Sequence, residues 1–543
     1  ALPEPEGNLA MSNEYVAPSN ELEDAIVDIW AEVLGLDKGA ISINRSFFEI
    51  GGNSLLTIKL QQKLSQLEEF GTVQVADLFK HHTIKMLVQS VRKDGAIEYR
   101  LQRGSKTDAH EIAIIGMSGA FSGANDISEF WDLIRDRGEG VRFYSKEECG
   151  ELGSDLSLFE DPGYIPVAGR VKGIDQFDPM FWEISPYEAK LLAPQIRKFI
   201  EHCWYVLESS GYIHKRRESN IGVFAGSGDN DYFHNNVLNG EMAYKINIWE
   251  ASIANSKDAL ATKPSYMLGL SGPANSINTA CSTGLVSVVE ACKSLKLGTC
   301  DMALAGGVTL STTNQVGYTY QEGMISSKDG HCRTFDKDAS GTTGGSGIGV
   351  VLLKRFEDAV KDNDNIIGVI KGYATNNDGD RKTSYTAPSV TGQAECIINA
   401  QKMAGIYSSE IDYVECHGTA TNLGDPIEVQ ALREAFEFNG RKEKQNRRTV
   451  LGAVKANIGH TDSAAGTAGL IKVCLMLQND IIPGQPNFDA PNPKLNIDQT
   501  NFEIAKENRN WPANPDQRRI AGISSFGIGG SNAHVIIGDY IRG

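Results

Sequence analysis

The segment RKDGAIEYRLQRGSKTDAH, from Arg92 to His110, constrains this chain most: it is crowded with charge and poor in large apolar residues. Such a run cannot supply the buried face of a helix or strand, so it reads as a linker, and the patterns on its two sides differ. Before it, Leu22, Ile26, Ile29, Trp30, Val33 and Leu34 recur at spacings of three and four, the stripe of an amphipathic helix. Further helical stretches are predicted over 54–67 and 84–91, giving a small all-helical bundle that ends near residue 92. After the linker, EIAIIGMSGAF carries a continuous apolar run bounded by glycine, the pattern of a buried strand. The runs IGVFAG, DMALAGGVTL, GVVLLKR and YVECHG follow, interleaved with helical patterns over 283–297, 391–404 and 464–478, and this alternation predicts an α/β domain. A chain of 543 residues also exceeds the size of one core, since single cores stop growing at roughly 250–300 residues. The predicted organisation is a linker over 1–19, a helical domain over 20–92, a linker over 93–110 and an α/β domain over 111–543.

Composition narrows the function classes. With 41% hydrophobic and 22% charged residues, the chain has the make-up of an ordinary soluble globular protein. A net charge of -17 makes a basic, phosphate-reading surface hard to assemble, so no nucleic-acid partner is expected. No apolar run approaches the roughly 20 residues that span a bilayer, and ALPEPEGNLAMSNEY lacks the basic and apolar regions of a signal peptide. A cytoplasmic protein with no membrane partner is predicted. The nine cysteines are scattered with no CxxC pair, which predicts a reducing compartment and no metal site. Both ends read as cut from a larger protein.

In the helical domain, FFEIGGNSLLTIKL sets Ser54 after two glycines at the start of an apolar-periodic helix. Either Ser54 or Asn53 could simply cap that helix, since both residue types satisfy its free backbone amides. The whole phrase, within residues 20–92, resembles the peptidyl carrier domains of nonribosomal peptide synthetases. The resemblance implies 4'-phosphopantetheine bound covalently to Ser54 and installed by a phosphopantetheinyl transferase. Carriers of fatty-acid and polyketide systems more often have Asp before that serine, so Asn53 favours the peptide-synthetase type.

In the α/β domain, GPANSINTACSTGLVSVVEAC puts Cys281 between a strand-like segment and a helix opening near Ser282. A helix N-terminus favours negative charge, so the position predicts a lowered thiol pKa and a sulfur exposed to substrate. Three further phrases follow: VECHGTATNLGDP around His417, KANIGHTDSAAG around His460, and SSFGIGGSNAH. In this order they resemble the ketosynthases of modular polyketide synthases, a branch of the thiolase-fold condensing enzymes, from Ile112 to Ile537. The resemblance implies a five-layered αβαβα sandwich of two related halves, a homodimer, and an acyltransferase of the β-ketoacyl synthase type. It also implies that Cys281 is acylated, that His417 and His460 are the catalytic histidines, and that the backbone amides of Cys281 and Ile528 form the oxyanion hole. Lys455 matches a lysine of the active-site polar network, though an ordinary surface lysine is the alternative. Thr419 and Thr421 match threonines that contact the pantetheine arm, with plain turn structure as the alternative.

The sequence departs from the family at APQIRK, with Ala193 for the usual Asp, and at GTTGGSGIG, which lacks the usual acidic residue. These departures bear on substrate range. The leading reading is a carrier fused to a ketosynthase that takes an aminoacyl, peptidyl or acyl thioester onto Cys281 and extends it by decarboxylative condensation with a malonyl carrier. The implied partners are an upstream peptide synthetase or polyketide module, a downstream malonyl-loaded carrier, and an acyltransferase not in this chain. The rivals are a ketosynthase that only transfers or cyclises the chain, a non-catalytic docking platform, and a thiolase. A thiolase would bring a second cysteine near the C-terminus, and there is none after Cys474.

Overall fold

The structure is a computed structural model and describes residues 15–92, 99, 111–239, 247–440, 448–514 and 518–541, the side chains of 54, 55 and 92 excepted. The two predicted linkers lie largely outside the described residues. Two compact units emerge, one of Ala1–Tyr99 with Asp380–Ser389 and one of Arg100–Gly379 with Val390–Gly543.

The small unit holds helices α1 (Glu21–Leu34), α2 (Ser54–Leu64), α3 (Val75–Lys80) and α4 (Ile84–Arg92). Asn20 caps α1 by accepting the Glu23 N–H at 3.0 Å, and Gly35 closes it in the left-handed conformation. Ile26 and Trp30 from the predicted stripe meet Phe47, Leu60, Leu64, Phe70 and Leu87 in one core. Helix α2 stops at Leu64, earlier than its pattern suggested, because the chain turns there to bury Phe70. The short α3 was beyond the reach of periodicity. Gly52 is required for packing: a Cβ there would lie 2.3 Å from the Phe47 ring.

The large unit is built on eleven strands: β1 (Ile112–Phe121), β2 (Ile221–Ser227), β3 (Ala274–Ser276), β4 (Met302–Thr309), β5 (Gly347–Arg355), β6 (Gly368–Asn377), β7 (Tyr413–Glu415), β8 (Thr449–Gly452), β9 (Phe502–Ile504), β10 (Ile520–Phe526) and β11 (Ser531–Gly538). Their order is β9-β8-β7-β10-β11-β6-β1-β5-β4-β2-β3. On one side β2 runs parallel to β3 and β4, then β4–β5 and β5–β1 are antiparallel. On the other, β7 runs parallel to β8 and β10, then β10–β11 and β11–β6 are antiparallel. The same order and directions recur, so the unit consists of two related halves. They join through a short β1–β6 ladder pairing Ile112–Ile114 with Gly368–Ile370.

Helices cover both faces, which is why β2 and β4 read as continuous apolar runs rather than alternating ones. Helices α5 (Pro194–Ser209) and α6 (Ala259–Leu268) share a core with Ala113, Ile115, Val223 and Val350 on one outer face. Helix α8 (Val390–Ala404), joined by α9 (Gly424–Phe438), covers β6 and β11 on the opposite face. Between the two halves of the sheet lie α7 (Thr283–Lys296) and α11 (Ala465–Asn479). Their close approach needs glycine: a Cβ on Gly466 would sit 2.7 Å from the Leu285 backbone nitrogen, and one on Gly284 would sit 2.4 Å from Thr467 Oγ1. The result is the αβαβα sandwich of the thiolase fold. Among the described residues, no helix is long and apolar enough to cross a membrane.

Candidate active site

Cys281 occupies the turn between β3 and α7, where Ala280 has φ +53°, a left-handed backbone that strains a residue carrying a Cβ. Thr279 N–H holds the turn by donating to Thr283 Oγ1 at 2.8 Å, and Ser525 Oγ, at the end of β10, donates to the Cys281 carbonyl at 2.9 Å. His417 follows β7, and His460 follows the short helix α10 (Lys455–Ile458) that sits between β8 and α11. The Cys281 sulfur and a ring nitrogen of each histidine lie within 4.8 Å of one another, and the two rings stand 5.6 Å apart at 83°.

The prediction of an exposed, acidified thiol is corrected. Cys281 is only 8% accessible. Burial pushes its thiol above the ordinary value and the Asp462 carboxylate adds to the rise, while Lys455 and the backbone N–H groups of Ile528 and of Cys281 itself pull the other way. Loss of hydration outweighs the helix end because the sulfur lies inside the fold rather than at its surface. Ile528 is 49% accessible.

Both histidines are neutral. Burial, Lys455 and His460 hold His417 well below its ordinary value, and burial with Lys455 lowers His460 to about 3. His417 Nδ1 accepts the Phe526 N–H at 3.4 Å, and His460 Nδ1 accepts the Asp462 N–H at 3.0 Å. With Nδ1 used as the acceptor in each ring, the hydrogen-bond network assigns the proton to Nε2 in both, leaving two N–H donors.

Lys455 is buried, not a surface lysine. Its Nζ donates to the His417 carbonyl at 2.5 Å and lies 3.4 Å from His417 Nδ1, and burial lowers its pKa against the pull of Glu428 and Cys281. Thr419 and Thr421 follow His417 with their hydroxyls 3.0 Å apart, and Thr421 Oγ1 accepts the Gly424 N–H at the start of α9. One of the two thus has a partner in the turn.

Three acidic residues escaped the sequence reading. Glu428 on α9 accepts the backbone N–H of His417 at 2.6 Å and of Gly418 at 2.8 Å. Asp425 accepts from Phe335 and Ala420 at 2.8 and 2.9 Å, tying the same loop down. Burial raises both carboxyls to about 7. Asp462, two residues beyond His460, is the acid whose charge raises the Cys281 thiol. Nothing in NLGDPIE or GHTDSAAG distinguishes such residues from solvated acids; only their one-turn spacing on α9 and their place within the histidine phrases were available as a signal.

In the small unit, Asn53 Oδ1 accepts the Leu56 N–H at 3.0 Å, so Asn53 caps α2 and Ser54 opens it. The Ser54 side chain lies outside the described residues. Gly51, three residues before it, adopts a positive φ of 109°.

The family model for the beta-ketoacyl synthase N-terminal domain matches residues 109–359, and that for its C-terminal domain matches 367–489. Among solved structures, ketosynthase twelve of the bacillaene polyketide synthase of Bacillus amyloliquefaciens is 37% identical, with a TM-score of 0.75 over 80% of this chain and 75% of that one. This chain belongs to the β-ketoacyl synthase family. The module 1 ketosynthase of the same system gives 36% identity and a TM-score of 0.72, over 80% of this chain and 76% of that one. The ketosynthase is followed by a match to the ketoacyl-synthetase C-terminal extension over 491–542 and preceded by one to the phosphopantetheine attachment site over 24–91. The ketosynthase is therefore joined to a phosphopantetheine carrier domain.

Curated relatives include a phenolphthiocerol/phthiocerol polyketide synthase chain of Mycobacterium tuberculosis, 43% identical over 78% of this chain. A PKS-NRPS hybrid synthetase of Aspergillus candidus is 34% identical over 99% of it, and polyketide synthase PksN of Bacillus subtilis 34% over 96%. The ketosynthase chain spans only 29%, 22% and 10% of these relatives' own lengths.

Proposed function

We propose that this ketosynthase takes an aminoacyl, peptidyl or acyl group from a carrier thioester onto Cys281 and extends it by decarboxylative condensation with a malonyl thioester. The observation that carries the reading is the sulfur of Cys281 set within 4.8 Å of ring nitrogens of two neutral imidazoles whose Nδ1 atoms accept backbone N–H groups. Loss of CO2 from malonyl leaves an enolate oxygen, and His417 and His460 donate to it. The amides of Cys281 and Ile528 then receive the oxyanion formed when the enolate carbon attacks the acyl-sulfur carbonyl. Donors fixed in place before reaction are effective because they need no reorganisation, and loss of one costs about 10²–10³ in rate. Lys455, through the His417 carbonyl, holds the imidazole in place, and Thr419 and Thr421 line the approach of the pantetheine arm.

We read the domains as a carrier over 20–92 and a ketosynthase over 111–543, supported by the ranges of the family matches. Ser54 is the proposed attachment point, and the group there supplies a thiol on which the substrate is presented as a thioester. The chain's own contribution is to hold Ser54 at a helix start capped by Asn53. The proposed partners are a phosphopantetheinyl transferase, an upstream peptide synthetase or polyketide module, a malonyl-loaded carrier with its acyltransferase, and a second copy of the chain.

The test is acylation by a soluble acyl thioester, followed by peptide mapping and addition of a malonyl carrier. Label on Cys281, its loss in Cys281→Ala, and a product two carbons longer are expected. Acylation without extension would leave a transferring enzyme, and no label on Cys281 would sink the reading.

A further inference from the structure

Val454, the residue before Lys455, is buried, and its backbone N–H is satisfied by a side chain 39 residues away. Glu415, the last residue of β7, accepts that N–H on Oε1 at 2.6 Å, while its Oε2 accepts the Tyr413 hydroxyl at 2.6 Å and the Lys472 ammonium at 2.8 Å. Glu415 and Lys472 are both buried. The packing around the carboxylate is tight: a Cβ on Gly452 would lie 2.3 Å from the Tyr413 hydroxyl oxygen, and one on Gly469 would lie 3.0 Å from Glu415 Cγ.

Stability does not account for this ion pair, since replacing a buried pair by apolar side chains of similar volume is often neutral or stabilising. Its place in the chain does. Glu415 lies two residues before His417, and Val454 lies next to Lys455. Two bridges therefore join the same two segments side by side: the Glu415 carboxylate accepts the Val454 N–H, and the Lys455 ammonium donates to the His417 carbonyl at 2.5 Å. Between them the Cys416 N–H donates to the Gly452 carbonyl at 2.8 Å. Lys472, on α11, is the cation that balances the carboxylate.

We infer that Glu415 is a positioning residue for the decarboxylation step, setting Lys455 against His417 through the Val454 amide, with Lys472 as its counter-ion. The inference rests on the reading of His417 as a donor to the enolate. A buried N–H left without an acceptor pays its full desolvation cost, so loss of the carboxylate drives the Val454 segment to shift in search of another partner. That shift moves α10, and with it the Lys455 ammonium that holds the His417 carbonyl. Acylation of Cys281 draws instead on the turn before α7, held by Thr283 and Ser525, so the two steps should respond differently.

The experiment compares two uncharged double variants of the full chain. Glu415→Gln with Lys472→Met keeps an amide oxygen for the Val454 N–H, whereas Glu415→Leu with Lys472→Met removes the acceptor, and neither leaves a lone buried charge. Two steps are followed: acylation of Cys281 by the butyryl thioester of N-acetylcysteamine, read by intact mass, and release of labelled CO2 from the malonyl thioester of N-acetylcysteamine. The first variant is expected to keep both steps near wild type. The second should keep acylation but release CO2 about 10²-fold more slowly, the scale of loss when a catalytic group is displaced by a mutation outside the chemistry. Wild-type CO2 release in the second variant would overturn the inference. So would an equal fall in both steps, or an equal loss of CO2 release in both variants, because a pair needed only for packing gives those results. If the second variant does not fold, Glu415→Met with Lys472→Met replaces it and is judged by the same outcomes. Failure of wild type to acylate would instead sink the reading of Cys281 itself, and a wild type that acylates without releasing CO2 would remove the decarboxylation reading together with this role.

Discussion

Burial at Cys281 raises the thiol, whereas burial at the histidines lowers the imidazoles; in both cases dehydration favours the uncharged form. The resting site is therefore a set of neutral groups ready to donate. The histidines have a further consequence for stability. His202, His460 and His534 are lowered to about 4, 3 and 3, below the 6.5 of an unfolded histidine. The unfolded chain thus binds more protons between those values, and stability rises with pH across that window. The contribution is fully present above pH 6.5 and is lost as pH falls from there through about 3. His534 hydrogen-bonds Ser524 Oγ at 2.9 Å. Urea unfolding of His534→Asn at pH 7, 5.5 and 4.5 should show a shallower loss of stability than wild type.

At the scale of elements, α7 and α11 matter most, since Cys281 lies just before the first and His460 just before the second. Their spacing is set by Gly284 and Gly466, each lying where a Cβ would strike the facing helix. Gly466→Ala is expected to cost about 1–3 kcal/mol, the range for overpacking a tight core. Because it wedges the helices apart, it should also slow Cys281 acylation, and a variant with both unchanged would contradict this packing. The strands around these helices were legible as apolar runs, since covered faces leave no polar alternation to confuse them. The run YVECHG was legible only in part: its strand ends at Glu415, and Cys416 and His417 turn into the loop clamped by Glu428 and Asp425.

For the whole molecule, the small unit has its own core around Trp30, whose ring meets Phe47 edge-on at 5.1 Å. Trp30→Ala should destabilise that unit by about 3–5 kcal/mol. Acylation of Cys281 by a soluble thioester should persist, and a parallel loss of both would show that the large unit depends on the small one. On the large unit, β3 is an edge strand, with α6 packed beside it. Tyr266 on α6 and Trp249 on the neighbouring helix Ile248–Asn255 are exposed. An open edge flanked by aromatic residues suits pairing with a second copy. Sedimentation of the protein should give a dimer that Trp249→Glu with Tyr266→Glu converts to monomer, and a monomeric wild type would remove this part of the proposal.

By itself the sequence determined the two-part organisation, the α/β class, and the set of Cys281, His417 and His460, because hydrophobic period and local motif are properties of neighbouring residues. Asn53 as the cap of α2, and the glycines around it, likewise follow from positions a few residues apart. What only the tertiary structure decided depends on residues far apart in the chain. The Phe526 amide that fixes the His417 tautomer lies 109 residues away. The direction of the Cys281 pKa reverses because packing removes water from a sulfur that a helix end alone would acidify.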